Sequence, residues 1–228
     1  MAKNGDNLMV SWGGVSDWEQ LNPNPISAPL SDLAVGNFVG DERDDIFWAD
    51  GKTCWVSDHG AEPFTHSQTS TFRVKDLLFG DFTATGRTDV FAVEDGKWAL
   101  SYGASSSWTP LKESLTNSVQ GLVIADFDGD GKADIATSED LPSPLFPIHV
   151  WKFSSNGVTQ WKRHFVFSRG GCSVSGPLAA SPAIGYFNRK TPEEKFNSVA
   201  ALLWNDKELC IVPSTNWSPQ GGSRQTMK

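Results

Sequence analysis

The loop from Asp126 to Asp134 holds the residues with the clearest chemistry in the sequence. It reads Asp-Phe-Asp-Gly-Asp-Gly-Lys-Ala-Asp, with carboxylates at positions 1, 3, 5 and 9. Calcium takes about six to eight oxygen ligands in flexible loops of this kind, and the carbonyl at position 7 commonly supplies one of them. The sequence therefore predicts a calcium site with five ligating residues: Asp126, Asp128, Asp130, Lys132 and Asp134.

The surroundings of this loop do not fit an EF-hand. The glutamate required at position 12 is absent, since Ser138 and Glu139 fall at positions 13 and 14. The run Ile135-Ala136-Thr137 that follows is short and β-prone, with no amphipathic helix pattern on either side. The loop is therefore expected to join β-strands.

The context of the loop recurs along the chain. A phenylalanine follows a short apolar run four times, at Phe38, Phe82, Phe127 and Phe187. The first three loops start at Asn37, Asp81 and Asp126, so they are spaced by 81 − 37 = 44 and 126 − 81 = 45 residues. A sustained period of about 40–50 residues is typical of propellers and repeat arrays.

A serine followed seven positions later by an aromatic residue keeps the same period. The pairs are Ser11 and Trp18, Ser57 and Phe64, Ser101 and Trp108, and Ser154 and Trp161. The serine follows its loop start by 20 residues in the first two loops but by 154 − 126 = 28 in the third. We attribute the difference to an insertion at the proline-rich segment 141–147.

Each repeat is predicted to contain four short strands. Asp50-Gly51 and Asp95-Gly96 separate apolar runs, and Asp-Gly is a strong hairpin signal because both turn residues tolerate positive φ. Between Lys97 and Tyr102, bulky side chains alternate with small or polar ones, as in a half-buried strand.

The predicted fold class is therefore all-β, a β-propeller of four-stranded blades with four to five blades in this chain. We expect a single domain over residues 1–228, with units at about 1–33 (partial), 34–77, 78–122, 123–182 and 183–228. The first unit should contain only outer strands, near residues 8–12 and 30–33. Ring closure is expected either by pairing of both termini or by self-association into a homo-oligomer, because open sheet edges are usually covered.

The phrases from Gly80 to Phe91 and from Asp126 to Asp134 resemble the FG-GAP/VCBS repeats of integrin-alpha-like β-propellers. The resemblance covers about residues 8–138. It implies an Asp-rich calcium loop between the first two strands of each blade, and it is shared with propeller lectins.

The other loops depart from that pattern. The first has valine at position 3 and implies a weaker second calcium site formed by Asn37, Asp41, Arg43 and Asp45. The second loop has threonine at positions 3 and 5 and too little charge to hold calcium well. In the fourth repeat, basic residues replace the carboxylates within segment 186–195.

Composition narrows the class of function. A net charge of −8 and a pI near 4.9 argue against nucleic acid or anionic membrane as partner, and no apolar run could span a bilayer. No signal peptide is present in this chain, so an extracellular, secreted location would require a leader removed from it. The three cysteines lack metal-site spacing, and the four histidines accompany no catalytic motif, which predicts a protein that is not an enzyme.

Two binding functions remain open. Trp18, Trp108 and Trp161 follow short polar turns, an arrangement typical of sugar-binding pockets between propeller blades. This favours a lectin-like, calcium-binding module that binds glycans at several equivalent sites. The alternative is a protein-protein interaction, scaffold or adhesion module from a larger secreted protein. For any single tryptophan, packing between blades is the more common role.

Overall fold

The computed structural model describes residues 1–21, 25–141 and 148–166, together with three strands further along the chain. It divides into two compact units, Met1–Gln120 and Gly121–Lys228. The described residues form five antiparallel sheets and six short 3-10 turns, with no α-helix among them. The expected all-β class with four-stranded, blade-like sheets is confirmed. The number of blades and the closure of the ring stay predictions.

The first unit contains three sheets. The first sheet has three strands, β1 (Ala2–Asn4), β2 (Asn7–Val10) and β3 (Glu19–Gln20). The second sheet has four, β4 (Leu33–Gly36), β5 (Asp45–Ala49), β6 (Thr53–Ser57) and β7 (Thr65–Thr69). The third sheet has four, β8 (Leu77–Gly80), β9 (Asp89–Glu94), β10 (Lys97–Ser101) and β11 (Thr109–Pro110).

Within its described residues, the second unit contains two sheets. The fourth sheet has β12 (Leu122–Ala125), β13 (Asp134–Leu141), β14 (Ile148–Ser154) and β15 (Lys162–Val166). The fifth has β16 (Ala183–Gly185), β17 (Ser198–Leu202) and β18 (Leu209–Pro213). β13 and β14, with eight and seven residues, are longer than β9 and β10, with six and five. Segments 142–147 and 186–195 themselves lie outside the described residues.

Strand register explains the position of the acidic loops. In all three complete repeats the last residue of the first strand pairs with the aspartate that ends the loop: Gly36 with Asp45, Gly80 with Asp89, and Ala125 with Asp134. Eight residues therefore connect the first two strands of each sheet, and the ninth already belongs to the second strand. The recurrent serine ends the third strand, and each is followed by a 3-10 turn.

Aromatic packing joins the second and third sheets. Phe38 and Phe47 are buried, and their rings lie 5.3 Å apart. Phe79, from β8, contacts both rings edge-on at 5.9 and 5.5 Å. Burying one such side chain contributes about 1.5–3 kcal/mol. The phenylalanine at loop position 2 is therefore a core residue, and it fixes the start of the loop beneath the surface.

One strand prediction for the first repeat is wrong. β2 pairs with β1 and β3 rather than with a strand at residues 30–33, because the chain reverses directly after the turn that follows Ser11. Leu30–Asp32 instead forms a 3-10 turn after Pro29, and Leu33 begins the second sheet. The Asp95-Gly96 hairpin is confirmed, since both residues have positive φ (50° and 73°) and Glu94 pairs with Lys97.

Candidate functional site

Three carboxylates meet in the third loop, residues 126–134. Asp126, Asp128 and Asp130 each offer an oxygen within 4.8 Å of the others. Asp126 is half-buried and the other two are exposed. Like charges this close destabilise one another unless a cation or a proton compensates them. The loop thus has the charge and the oxygen chemistry of a site for a hard divalent cation.

Backbone N–H groups give the third loop its shape. Asp126 accepts hydrogen bonds from Gly129 N at 2.6 Å and Gly131 N at 3.1 Å. Both glycines have positive φ, 81° and 86°, which glycine adopts without strain. Lys132 N donates to Asp130 Oδ1 at 2.8 Å, so the predicted ligand residue at position 7 lies in the same turn. Burial raises the pKa of Asp126 despite these hydrogen bonds.

Asp134 occupies a different place from the other three aspartates. Its side chain is fully buried. Oδ2 accepts from Phe127 N at 2.8 Å and Asp128 N at 3.2 Å, while Oδ1 accepts from Asn156 N at 3.0 Å. Burial raises the pKa of Asp134 to about 7, and the nearby charge of Asp128 acts in the same direction. Asp134 therefore holds the loop against the turn that follows β14.

The same buried aspartate recurs in the first two repeats. Asp45 accepts from Val39 N at 2.7 Å and His59 N at 2.9 Å. Asp89 accepts from Phe82 N at 3.1 Å and Gly103 N at 2.9 Å. Each aspartate joins its own loop to the turn after the third strand. Sequence reasoning missed this structural role, although aspartate stands at position 9 in all three loops, as phenylalanine does at position 2.

The recurrent serines close these turns. Each serine hydroxyl donates to the carbonyl five residues later: Ser11 to Ser16 at 2.8 Å, Ser57 to Glu62 at 2.5 Å, Ser101 to Ser106 at 2.8 Å and Ser154 to Thr159 at 2.6 Å. We define residues 58–62, 102–106 and 155–159 as the serine turns of the three complete repeats. Their second residue always has positive φ, at His59 (51°), Gly103 (53°) and Asn156 (52°).

The second loop, residues 81–89, is closed without further carboxylates at positions 3 and 5. Thr83 Oγ1 lies 3.0 Å from Thr85 Oγ1, and Asp81 Oδ1 accepts from the backbone N–H of both threonines at 3.1 Å. Threonine hydroxyls thus stand where the third loop has Asp128 and Asp130. The local charge is correspondingly smaller.

The first loop, residues 37–45, gathers a group that the sequence prediction named only in part. Ligand atoms of Asp41, Asp45, Asp58 and His59 lie within 4.8 Å of one another. His59 Nε2 lies 2.5 Å from Asp41 Oδ2, and this hydrogen bond lowers the pKa of Asp41. Asp58 and His59 come from the serine turn, and their position directly after Ser57 was the available signal.

Asn37 and Arg43 are placed differently from the other predicted ligands of the first loop. Asn37 Nδ2 donates to Gly86 O in the second loop at 2.9 Å, and Asn37 Oδ1 accepts from Gly40 N at 2.7 Å. Arg43 N donates to Asp41 Oδ1 at 3.1 Å. Asn37 therefore connects two neighbouring loops in the first unit. The backbone N–H of Arg43 holds the Asp41 side chain in place by a hydrogen bond.

The three tryptophans proposed as sugar contacts have different surroundings. Trp108 packs edge-on against Phe72 at 5.3 Å and contacts the core cluster of the first unit. Trp161 carries Lys152 Nζ over its ring at 5.2 Å. Trp18 is 57% exposed. They are therefore not three copies of one pocket, and Trp108 has the packing contacts of a core residue.

A cleft of about 470 Å³ lies between the second and third sheets of the first unit. Phe38, Val39, Val56 and Pro63 supply its apolar part, and polar side chains line most of the remainder: Asp58, Glu62, Thr65, His66, Ser67, Arg87 and Ser105. A mainly apolar surface with a few convergent polar groups is the usual design of a small-ligand site.

Arg87 crosses from the third sheet to the second at this cleft. Its Nη2 donates to Phe38 O at 2.7 Å, and its Nε is buried without a hydrogen-bond partner among the described residues. A Cβ at Gly103 would clash with Nη2, and one at Gly40 would stand 2.7 Å from Cδ. The absence of a side chain at both glycines therefore provides the space in which the guanidinium reaches the neighbouring loop.

These sheets and loops define the class of the protein, an all-β repeat protein of the propeller type. Residues 81–137 match the family model described as FG-GAP-like repeat, so the chain carries a repeat of this family. The repeat is typical of β-propeller interaction and adhesion modules. No curated protein is significantly similar to the chain. Among the described residues, no helix is long and apolar enough to cross a membrane.

Proposed function

We propose that the protein is a calcium-binding module that recognises glycans at the cleft between its second and third sheets. The observation that carries the calcium assignment is the convergence of Asp126, Asp128 and Asp130 within 4.8 Å. The cleft of the first unit supports the glycan assignment. The protein acts by binding rather than by catalysis, and an extracellular location belongs to the same proposal.

The third loop fits calcium rather than a softer metal. Its donor set consists of oxygen atoms, three of them from carboxylates, and calcium prefers oxygen ligands in flexible loops. Asn156, whose amide contacts Asp130, also has a buried oxygen without a hydrogen-bond partner in the described structure. Calcium would neutralise the clustered charge, with Asp126, Asp128 and Asp130 as its principal ligands and the Lys132 carbonyl completing the loop.

The cleft fits a sugar because it offers two kinds of contact. A pyranose presents C–H faces that pack on exposed apolar side chains such as Val39 and Pro63, and hydroxyls that need hydrogen-bond partners. Asp58 and Ser105 provide acceptors and donors at the rim. Arg87 brings a guanidinium whose planar donors suit paired oxygens.

Calcium removal tests the first half of the proposal. A ligand that binds only the folded state stabilises it by about 2.7 kcal/mol at a hundredfold excess over its Kd. The melting temperature should therefore fall when calcium is chelated, and Asp130→Ala should abolish that difference. Asp44→Ala, an exposed aspartate in the first loop, is the control that should keep it. Identical melting of the wild type with and without calcium would refute the calcium assignment.

Glycan binding tests the second half. The wild-type protein should bind a subset of sugars on a glycan array, and free sugar should compete. Ser105→Trp would fill the cleft and remove binding, whereas Ser107→Trp, two residues further and outside the lining, should retain it. Retained binding by the Ser105→Trp protein would place the glycan site elsewhere.

Protein binding remains a second candidate because of one observation. Trp12, Val15 and Trp18 are 56%, 91% and 57% exposed in and after the turn that follows β2. Clusters of exposed apolar side chains often mark interaction surfaces. An array on which the wild-type protein binds no glycan would favour this candidate over a lectin.

A further inference from the structure

The third serine turn lies directly against the third loop. Ser155 Oγ donates to Asp128 Oδ2 at 2.9 Å, and Asn156 Nδ2 donates to Asp130 Oδ2 at 3.0 Å. Two of the three clustered carboxylates are thus already in contact with side chains from a segment 26 or 27 residues away in sequence. The polar environment of the cluster is formed by two segments of the chain.

Asn156 is held in a way that leaves its amide oxygen unused. The backbone N–H of Asn156 donates to buried Asp134, which fixes the residue above the loop. While Nδ2 donates to Asp130, Oδ1 is buried and has no hydrogen-bond partner among the described residues. A buried acceptor without a donor is unfavourable. Rotation of the amide by half a turn exchanges its oxygen and nitrogen and directs the oxygen at the carboxylates, where a cation would make it a favourable ligand.

The first repeat shows the same arrangement independently. Asp58 and His59 occupy the positions of Ser155 and Asn156 in the turn, and both belong to the group around Asp41. Asp58 Oδ1 is also buried and accepts no hydrogen bond from the described residues. His59 Nε2 lies 3.2 Å from it and would form an ion pair with it only when the imidazole is protonated.

The second repeat provides the contrast. Its turn has Tyr102 and Gly103 at these two positions, which offer no side-chain oxygen near the backbone, and its loop carries Thr83 and Thr85. In the three complete repeats, the two loops with clustered carboxylates therefore occur with oxygen- or nitrogen-bearing side chains close by in the turn, and the loop with threonine at positions 3 and 5 occurs without them.

We propose that the cation site of the third loop is completed by the serine turn, with Asn156 Oδ1 as a ligand and the Ser155 hydroxyl as a second, weaker one. This inference rests on the proposed calcium binding. It assigns to the cation a structural effect beyond the loop, because the bound ion would join the connection between β12 and β13 to the end of β14.

Asn156→Gly is the sharpest test, since glycine already stands at this turn position in Gly13 and Gly103 at similar φ. The substitution removes the amide and keeps the backbone that donates to Asp134. Calcium affinity, measured by titration calorimetry, should fall about tenfold or more, the effect expected when a residue that supports a metal site is lost. Asn117→Gly, an exposed asparagine in the other compact unit, is the matched control and should bind like the wild type.

Hydrogen exchange supplies a readout that does not depend on affinity. In the wild type, calcium should slow exchange at the backbone amides of both residues 126–134 and residues 155–159. In Asn156→Gly at saturating calcium, protection should persist in the loop and be lost in the turn. Equal affinity and equal turn protection in wild type and variant would overturn the inference while leaving calcium binding intact. Absence of any calcium binding by the wild type would overturn both.

Discussion

Replacing Asp89 is the most direct test of how the repeats are held together. Asp89 is 1% exposed and ends the second loop. In that loop, threonine hydroxyls occupy the positions where the third loop has clustered carboxylates. It accepts hydrogen bonds from Phe82 N and Gly103 N, both of which are buried. Asp89→Ala would leave these two donors without a partner, and it would also remove the contact with Thr83.

The expected loss of stability follows from those donors. An unsatisfied buried N–H costs about 1–3 kcal/mol, so two of them predict a loss of about 2–6 kcal/mol. Asp89→Asn keeps one carbonyl acceptor and should lose about half as much. Burial raises the pKa of Asp89, so a charged carboxylate is itself unfavourable at this position. Removing the charge offsets part of the lost hydrogen bonding, and we expect a loss of stability near the middle of the range of about 2–6 kcal/mol.

Urea unfolding followed by tryptophan fluorescence measures this loss. The Asp89→Ala midpoint should fall well below that of the wild type, with Asp89→Asn between them. Asp44→Ala is the control, because Asp44 is an exposed aspartate just before Asp45 and should change stability little. The loss should be the same with calcium or chelator present. A free energy of unfolding for Asp89→Ala within about 0.5 kcal/mol of the wild-type value would refute the idea that this aspartate joins loop and turn.

Two further predictions concern buried titrating groups. Burial raises the pKa of Asp134 to about 7, so without calcium the folded state holds a proton that the unfolded chain releases near pH 4. The free energy of unfolding in calcium-free buffer should then fall as the pH rises through that interval, by at most about 4 kcal/mol, and Asp134→Asn should flatten the dependence. Burial also raises the pKa of Cys54 to about 11, so in a Cys172→Ser/Cys210→Ser background its thiol should react with disulfide reagents at pH 8 only after unfolding.

The repeat architecture could be predicted from the sequence because its signals are local and periodic. The interval between Asn37, Asp81 and Asp126 reflects one sheet per unit, and the Asp95-Gly96 pair fixes a two-residue hairpin. The chemistry of the third loop was equally readable, since its carboxylates are close in sequence. Nothing in the structure was needed to bring Asp128 next to Asp130.

Contacts between segments far apart in sequence could not be predicted in the same way. Asp58 and His59 come close to Asp41 only because β6 returns beside β5. They lie outside the loop in sequence, so the loop pattern alone does not identify them. The role of Trp108 likewise depends on Phe72, which belongs to the preceding connection. The recurrent serine was recognised as a marker from the sequence. Its hydrogen bond across the turn could not be predicted, because it depends on the backbone conformation of the five residues that follow.

The aspartate that begins the second strand of each complete repeat has a consequence for how such repeats diverge. Because Asp45, Asp89 and Asp134 each fasten loop to turn through main-chain donors, a copied unit can exchange its outer acidic residues for threonine and keep that connection. Metal affinity then becomes a property that each copy gains or loses separately. A single chain can in this way carry neighbouring units of one architecture whose loops differ in their number of carboxylates.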